Sequence, residues 1–196
     1  MSEELWRMFC AIELPHALRE RAAAHVATLR SEARGARISW ARAENLHLTL
    51  KFLGEIPKTR VAALSEAASR AGLKSQSFNL TIEGAGSFPT RGLPRVLWLG
   101  VVDSTGALSQ LQKYLEEECS IEGFARDERT FSPHLTIARI RAAQGARTIA
   151  TSHQALGFEA IEFPVEEIVV MRSELGPQGS RYTAISRHGL GEAEPH

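Results

Sequence analysis

The order of strand and helix signals predicts an α+β chain built as two pseudo-symmetric lobes, each a mostly antiparallel sheet with helices packed on its outer face, enclosing a central cleft. Strand-like segments are numerous and often follow one another with no helix between them, unlike the regular alternation of a doubly wound parallel sheet. Only three clear amphipathic helical stretches and a weaker fourth interrupt them. A His-Leu-Thr tripeptide followed by an aliphatic residue occurs twice in strand context, at 47–50 and 134–137, 87 positions apart, which places one copy in each half of the chain.

WRMFCAIEL, 6–14, is a strand candidate that stops at Pro15. Pro15 then starts a helix whose Leu18, Ala22, Val26 and Leu29 form one apolar stripe. ISW at 38–40 and NLHLTLKFLG at 45–54 read as strands, ended by Gly54 and Pro57, before a second helix marked by Val61, Leu64, Ala68 and Ala71. SFNLTIEGAG at 77–86 and PRVLWLGV at 94–101 read as paired strands joined by SFPTRGLP. Leu108, Leu111 and Leu115, with Tyr114, mark a third helix that ends near Gly123, and FSPHLTIARI at 131–140 is the next strand. The weaker helix falls around 147–156. FEAIEF, EEIVVMRSEL and SRYTAISRH close the chain as strands, the last two around a Gly-Pro-Gln-Gly turn.

Bulk composition narrows the function classes. The 196 residues suffice to bury a core without disulfide staples. With 43% hydrophobic and 23% charged residues, the chain has neither the polarity of a disordered protein nor an apolar run long enough to span a bilayer. The acidic Met-Ser-Glu-Glu start lacks the basic opening of a secretory leader, which places the protein in the cytoplasm. Cys10 and Cys119 fit no CxxC spacing and no disulfide framework, and are expected as reduced thiols. The zero net charge excludes a broad electrostatic footprint for long nucleic acid, so any polynucleotide is held locally.

The chemistry sits on the repeated tripeptide. Residues i and i+2 of a strand share a face, so His47 projects beside Thr49, and His134 beside Thr136, while Leu48, Leu50, Leu135 and Ile137 point into apolar packing. Of the seven histidines only these two have Thr two positions on. Facing each other across a cleft, they supply two imidazoles able to divide acid and base roles near neutral pH, with two hydroxyls to donate to phosphate oxygens.

Together with RMFCAIELP, WARAENLHLTLKFLGE, GAGSFPTRGLPRVLWLG and FSPHLTIAR, the two motifs resemble the two-histidine (2H) phosphoesterases, and among them the RNA 2',3'-cyclic phosphodiesterases, also called 2'-5' RNA ligase-like proteins. The likeness runs from about residue 6 to 186 and implies one 2H domain over 1–196, with interleaved lobes carrying one HxTx motif each. It implies hydrolysis of a terminal RNA 2',3'-cyclic phosphate to a 2'-phosphomonoester without metal or other cofactor. His47 is then the proton donor to the leaving O3' and His134 the acceptor from water. A reverse 2'-5' ligation is possible in this chemistry. Arg139 resembles a phosphate-contacting arginine of the family, although strict alternation aims it away from His134 unless the strand bends or ends near Ala138. The expected partners are RNA ends or oligonucleotides bearing the cyclic phosphate, with no membrane, no obligate protein partner and a monomeric state.

Other features have plainer readings. Neither motif has the further ligands that a metal site needs. The glycine-rich loop 84–95 with Arg91 reads as a connector, Trp40 and Phe52 as core residues before base-stacking ones, and RDERTF at 126–131 as a solvated loop. Two rival functions share the fold: a non-catalytic nucleotide or RNA-binding module, and a phosphodiesterase for a small cyclic nucleotide. The presence of both HxTx motifs favours an enzyme over the binding module, and the catalytic residues fit either substrate.

Overall fold

A computed structural model describes residues 3–33, 37–176 and 179–191. The elements run β1 (Leu5–Glu13), α1 (His16–Glu32), β2 (Ile38–Trp40), β3 (His47–Pro57), α2 (Val61–Leu73), β4 (Phe78–Phe88), β5 (Val96–Val102), α3 (Ala107–Ile121), β6 (His134–Ile140), α4 (Ala146–Leu156), β7 (Ile161–Val165), β8 (Glu167–Gly176) and β9 (Gly179–Gly189). One sheet has the order β3-β1-β8-β9 and the other β2-β6-β5-β4-β7. Every described pairing between these strands is antiparallel.

The chain shuttles between the sheets. β1, β3, β8 and β9 build the first, while the segments between them supply the second. Helices follow the apolar stripes expected of them. Val61, Leu64, Ala68 and Ala71 of α2 are buried, and α2 packs on β8, β9 and α3, while α3 also meets β3. Leu18, Ala22, Val26 and Leu29 of α1 are buried, and α1 meets α4, which lies on β4. A single apolar cluster takes in Leu48 and Leu50 from the first sheet, Leu135 and Ile137 from the second, and the buried faces of all four helices. The opposite face of the first sheet carries a second, small cluster of Phe9, Ala11, Val169 and Met171 backed by Tyr182.

Several boundaries depart from the sequence reading. β3 passes through Gly54 to Pro57, because Gly54 adopts a positive φ of 71° and lets the strand continue past an irregularity. The GAG of the glycine-rich segment is strand, as the reading of 77–86 has it and against the connector reading of 84–95; β4 runs on to Phe88, and only the residues after it form the connector to β5. Trp40 packs half-buried against the core. Phe52 is not a core residue, since 44% of it is exposed. Cys10 and Cys119 are free and buried, and burial pushes the Cys119 thiol up to about 12. The 126–130 stretch is exposed as read. Pro177 and Gln178 of the closing turn lie outside the described residues.

Two polar devices built on buried side chains join elements, one helix to helix and the other helix to sheet. Glu118 of α3 is buried and receives Arg70 Nε at 2.6 Å and Lys74 Nζ from α2, and these hydrogen bonds hold its carboxyl below the usual range. On the other side, His153 of α4 has Nε2 at 3.0 Å from the Trp98 carbonyl and Nδ1 at 2.9 Å from His25 Nε2 of α1. A carbonyl only accepts, so His153 Nε2 donates to it; with His153 neutral its Nδ1 accepts from His25 Nε2, and the single hydrogen between the rings means that both cannot be charged at once. Burial lowers both pKa values, that of His25 to about 4, with the His153 ring adding to the effect.

This pair makes stability depend on pH with a definite sign. An unfolded histidine takes up a proton near 6.5 and the folded His25 only near 4, so the unfolded chain binds more protons in that window. The stabilisation is fully present above pH 6.5 and is lost as pH falls toward 4. Urea midpoints measured across this range are expected to fall with pH, and a His25→Phe, His153→Leu double variant is expected to show a shallower decline.

Candidate active site

The two HxTx segments occupy equivalent places, one at the start of β3 and one at the start of β6. In each, the aliphatic residues enter the core and the imidazole and hydroxyl point to the other face. Leu48 and Leu50 are buried while His47 is half-buried and Thr49 exposed, and Leu135 and Ile137 are buried while His134 and Thr136 are partly exposed. The strands β3 and β6 approach one another, with Cα atoms within 8 Å, at the junction between the two sheets.

Each strand then breaks its alternation at the same point. On β3, Thr49 lies opposite Ala11 and Lys51 opposite Cys10, so Leu50 is an extra residue without a partner. On β6, Thr136 lies opposite Trp98 and Ala138 opposite Leu97, leaving Ile137 as the extra one. A bulge of this kind reverses the phase of every side chain beyond it. Leu50 and Lys51 are therefore both buried, as are Ile137 and Ala138. The fifth residue after each histidine returns to the histidine's face. Arg139 lies opposite Val96, which shares a face of β5 with Trp98 and Gly100, the partners of Thr136 and His134. Phe52 lies opposite Phe9, which shares a face of β1 with Ala11 and Glu13, the partners of Thr49 and His47. The bend that Arg139 requires is thus present, and the structure places His134, Thr136 and Arg139 on one face of β6, with His47, Thr49 and Phe52 on one face of β3.

Both imidazoles are held by the same contact. His47 Nδ1 is 2.8 Å from the Asn45 carbonyl oxygen, and His134 Nδ1 is 2.8 Å from that of Ser132. The carbonyl accepts, so Nδ1 carries a hydrogen in both rings and Nε2 is the atom left to take or give a proton. The turn before His47 is itself anchored by Asn45 Nδ2, which donates to the Ser180 carbonyl at 2.8 Å.

Aromatic rings wall each histidine. Phe9 lies 4.7 Å from the His47 ring and Tyr182 5.0 Å from it at right angles. Phe88 stands edge-on to His134 at 5.1 Å and tilts against Trp98 at 5.3 Å. The enclosure lowers the His47 pKa, opposed by the Asn45 carbonyl and by the Glu13 carboxylate, both of which favour the charged ring. Glu13 in turn holds Arg187 at 2.6 Å. Arg7 lies over the Phe52 ring at 4.8 Å. Among the described residues no three His, Cys, Asp or Glu side chains converge as a metal site would require.

Sequence reasoning did not single out Phe9, Phe88 or Tyr182 and assigned Phe52 to the core. For Phe52 a signal existed, since it stands at the same offset from His47 as Arg139 from His134. Tyr182 offered none, because it reaches His47 only through the pairing of β1 with β8 and β8 with β9.

The comparisons with known proteins give the family of the chain. The family model of the 2'-5' RNA ligase superfamily matches residues 18–177. The chain belongs to that superfamily. It is 34% identical over 184 residues to the RNA 2',3'-cyclic phosphodiesterase of Escherichia coli K12, covering 94% of this chain and 96% of that one. The protein of the same description from Thermotoga maritima is 33% identical over 181 residues, covering 91% and 92%. A relative from Geobacillus stearothermophilus, 36% identical over 137 residues, is longer: the match covers 70% of this chain and 43% of that one. Among solved structures, TT0787 of Thermus thermophilus superposes with a TM-score of 0.78 at 27% identity over 95% of this chain and all of the other. LigT of E. coli in its apo form superposes with a TM-score of 0.75 at 31% identity, covering 97% of this chain and all of that one. The α+β, two-lobed superfamily fold expected from the sequence is the one found.

Gly86 gives the site a sharp mutational test. A Cβ built there comes within 2.2 Å of the Trp98 ring, which lies on the same sheet face as His134 and supports Phe88. Gly86→Ala is expected to displace the Trp98–Phe88 shelf, to lower stability by about 1–3 kcal/mol in a chemical melt, and to reduce catalysis beyond what that loss explains.

Proposed function

We propose that this chain is a metal-independent RNA 2',3'-cyclic phosphodiesterase that opens a terminal cyclic phosphate to a 2'-phosphomonoester. The observation that carries the reading is the repetition of one device in two sheets: an imidazole with Nδ1 held by the carbonyl two residues back, a threonine beside it, and a bulge that returns the fifth residue to the same face. The kinship with proteins described as RNA 2',3'-cyclic phosphodiesterases supports the substrate class.

In this mechanism a water oxygen attacks phosphorus while His134 Nε2 takes its proton. The P–O3' bond breaks, and His47 Nε2 delivers its proton to the departing O3'. Each proton transfer is typically worth about 10²- to 10⁴-fold. Thr49 and Thr136 donate to the non-bridging oxygens, and Arg139 neutralises the charge that builds on them. Phe52, exposed on the His47 face, offers its ring to the terminal base, as aromatic side chains do in single-strand recognition. A 5'-hydroxyl in place of water would yield a 2'-5' link by the same steps. The two buried free thiols suit the reducing cytoplasm, where we place the protein.

The test is incubation with an oligoribonucleotide ending in a 2',3'-cyclic phosphate, in EDTA, with identification of the phosphorylated hydroxyl. A 2'-phosphate is expected, and its loss in His47→Ala and in His134→Ala with the fold intact. A 3'-phosphate would reverse the acid and base roles, and wild-type rates from either variant would refute the mechanism.

The pH profile adds a second check. As proton donor His47 must be charged, so the limb on which kcat/KM falls with rising pH belongs to it and lies below the ordinary imidazole value of 6.5. Removing the nearby negative charge with Glu13→Gln disfavours the imidazolium and is expected to move that limb to still lower pH.

A further inference from the structure

Beyond Phe52, β3 borders a cavity of about 320 Å³ closed on its far side by the 123–129 segment that leads from α3 toward β6. Four cationic side chains line it, Lys51, Arg60, Arg126 and Arg129, against the single carboxylate of Asp127, a local excess in a chain of zero net charge. Two of the four are already neutralised. Lys51, 4% exposed, is paired with Glu116 at 2.6 Å, and Arg129 makes a two-pronged contact with Asp127 at 3.0 and 2.9 Å. Arg60 donates to the Glu122 carbonyl and stacks over Phe124 at 4.5 Å, while Arg126 Nε donates to Ser120 Oγ at 3.2 Å. Among the described residues no carboxylate pairs with Arg60 or Arg126. Uncompensated guanidinium groups in a concavity large enough for a small ligand are a phosphate-binding arrangement.

The chemistry of the substrate says which phosphate. A 2',3'-cyclic phosphate closes the 3' end of an RNA, so all of the remaining strand lies on the 5' side of the reacting nucleotide, with one negative charge in every linkage. Phe52 belongs both to the face that carries His47 and to the wall of the cavity, so the two share a side chain five positions from the catalytic histidine. We propose that this cavity is a second substrate site, holding the phosphodiester backbone 5' of the reacting nucleotide through Arg60 and Arg126. It gives the enzyme a preference for RNA ends over free nucleoside cyclic phosphates. The assignment rests on the cyclic phosphodiesterase reading above.

The experiment compares kcat/KM for a nucleoside 2',3'-cyclic phosphate and for a short oligoribonucleotide with the same terminal nucleotide, in wild type, Arg126→Ala, Arg126→Glu and Arg126→Lys. The wild type is expected to favour the oligonucleotide. Arg126→Ala is expected to cost about ten-fold on the oligonucleotide, the worth of one charge-assisted contact, with Arg126→Glu costing more and Arg126→Lys recovering part of the loss. Rates on the nucleoside substrate stay unchanged, and the oligonucleotide's salt dependence becomes shallower in the alanine variant. Equal losses on both substrates, or no loss on the oligonucleotide, would overturn the second site while leaving the catalytic reading in place. A wild type inactive on both substrates would overturn the two together, a pattern separable from either of those.

Discussion

The arrangement depends on one interruption of strand geometry made twice. A regular strand has a period of two, so a histidine and the fifth residue after it face opposite sides. A single extra residue, Leu50 on β3 and Ile137 on β6, changes that parity. It lets three polar or aromatic positions per strand reach one face while the positions between them, now including two adjacent residues, stay in the core. Without the bulges Phe52 and Arg139 would be driven into apolar packing, where an unpaired guanidinium is costly. The bulge also turns Lys51 inward, and the core tolerates its charge because Glu116 and the Ala125 carbonyl receive the ammonium at 2.6 and 2.8 Å.

What holds the two histidines in place is equally local. Neither ring relies on a carboxylate at Nδ1; each uses the carbonyl two residues back, so the strand that presents the ring also sets its tautomer. The surroundings differ. His47 is enclosed by Phe9 and Tyr182 with Glu13 close enough to favour the charged ring, whereas His134 has Phe88 as its aromatic neighbour. One scaffold used twice, with different walls, is how a pseudo-symmetric site can assign different proton roles to like groups.

Much of this could be read from the chain because it rests on periodicity. The alternation in HLTL and HLTI, the apolar stripes of α1, α2 and α3, and the succession of strands without intervening helices are all local patterns, and the structure follows them. The misplaced residues are those whose position depends on a partner strand. A bulge is defined by what lies opposite, Cys10 and Ala11 for β3 and Leu97 and Trp98 for β6, so the exposure of Phe52 could not be obtained from its own apolar neighbours. The same holds for Gly54, whose positive φ keeps a strand going where a glycine by itself signals an end. The buried His25–His153 pair joins helices 128 positions apart and carries no local pattern at all.

The central claim is that both imidazoles work on one phosphorus atom, each from its own sheet. A crystal structure with a nucleoside 2'-phosphate bound tests it most directly. The account predicts the phosphate between β3 and β6, with His47 Nε2 and His134 Nε2 each within about 3.2 Å of a ligand oxygen and the Arg139 guanidinium on the phosphate. A phosphate held by one histidine alone, with the other ring directed elsewhere, would contradict it.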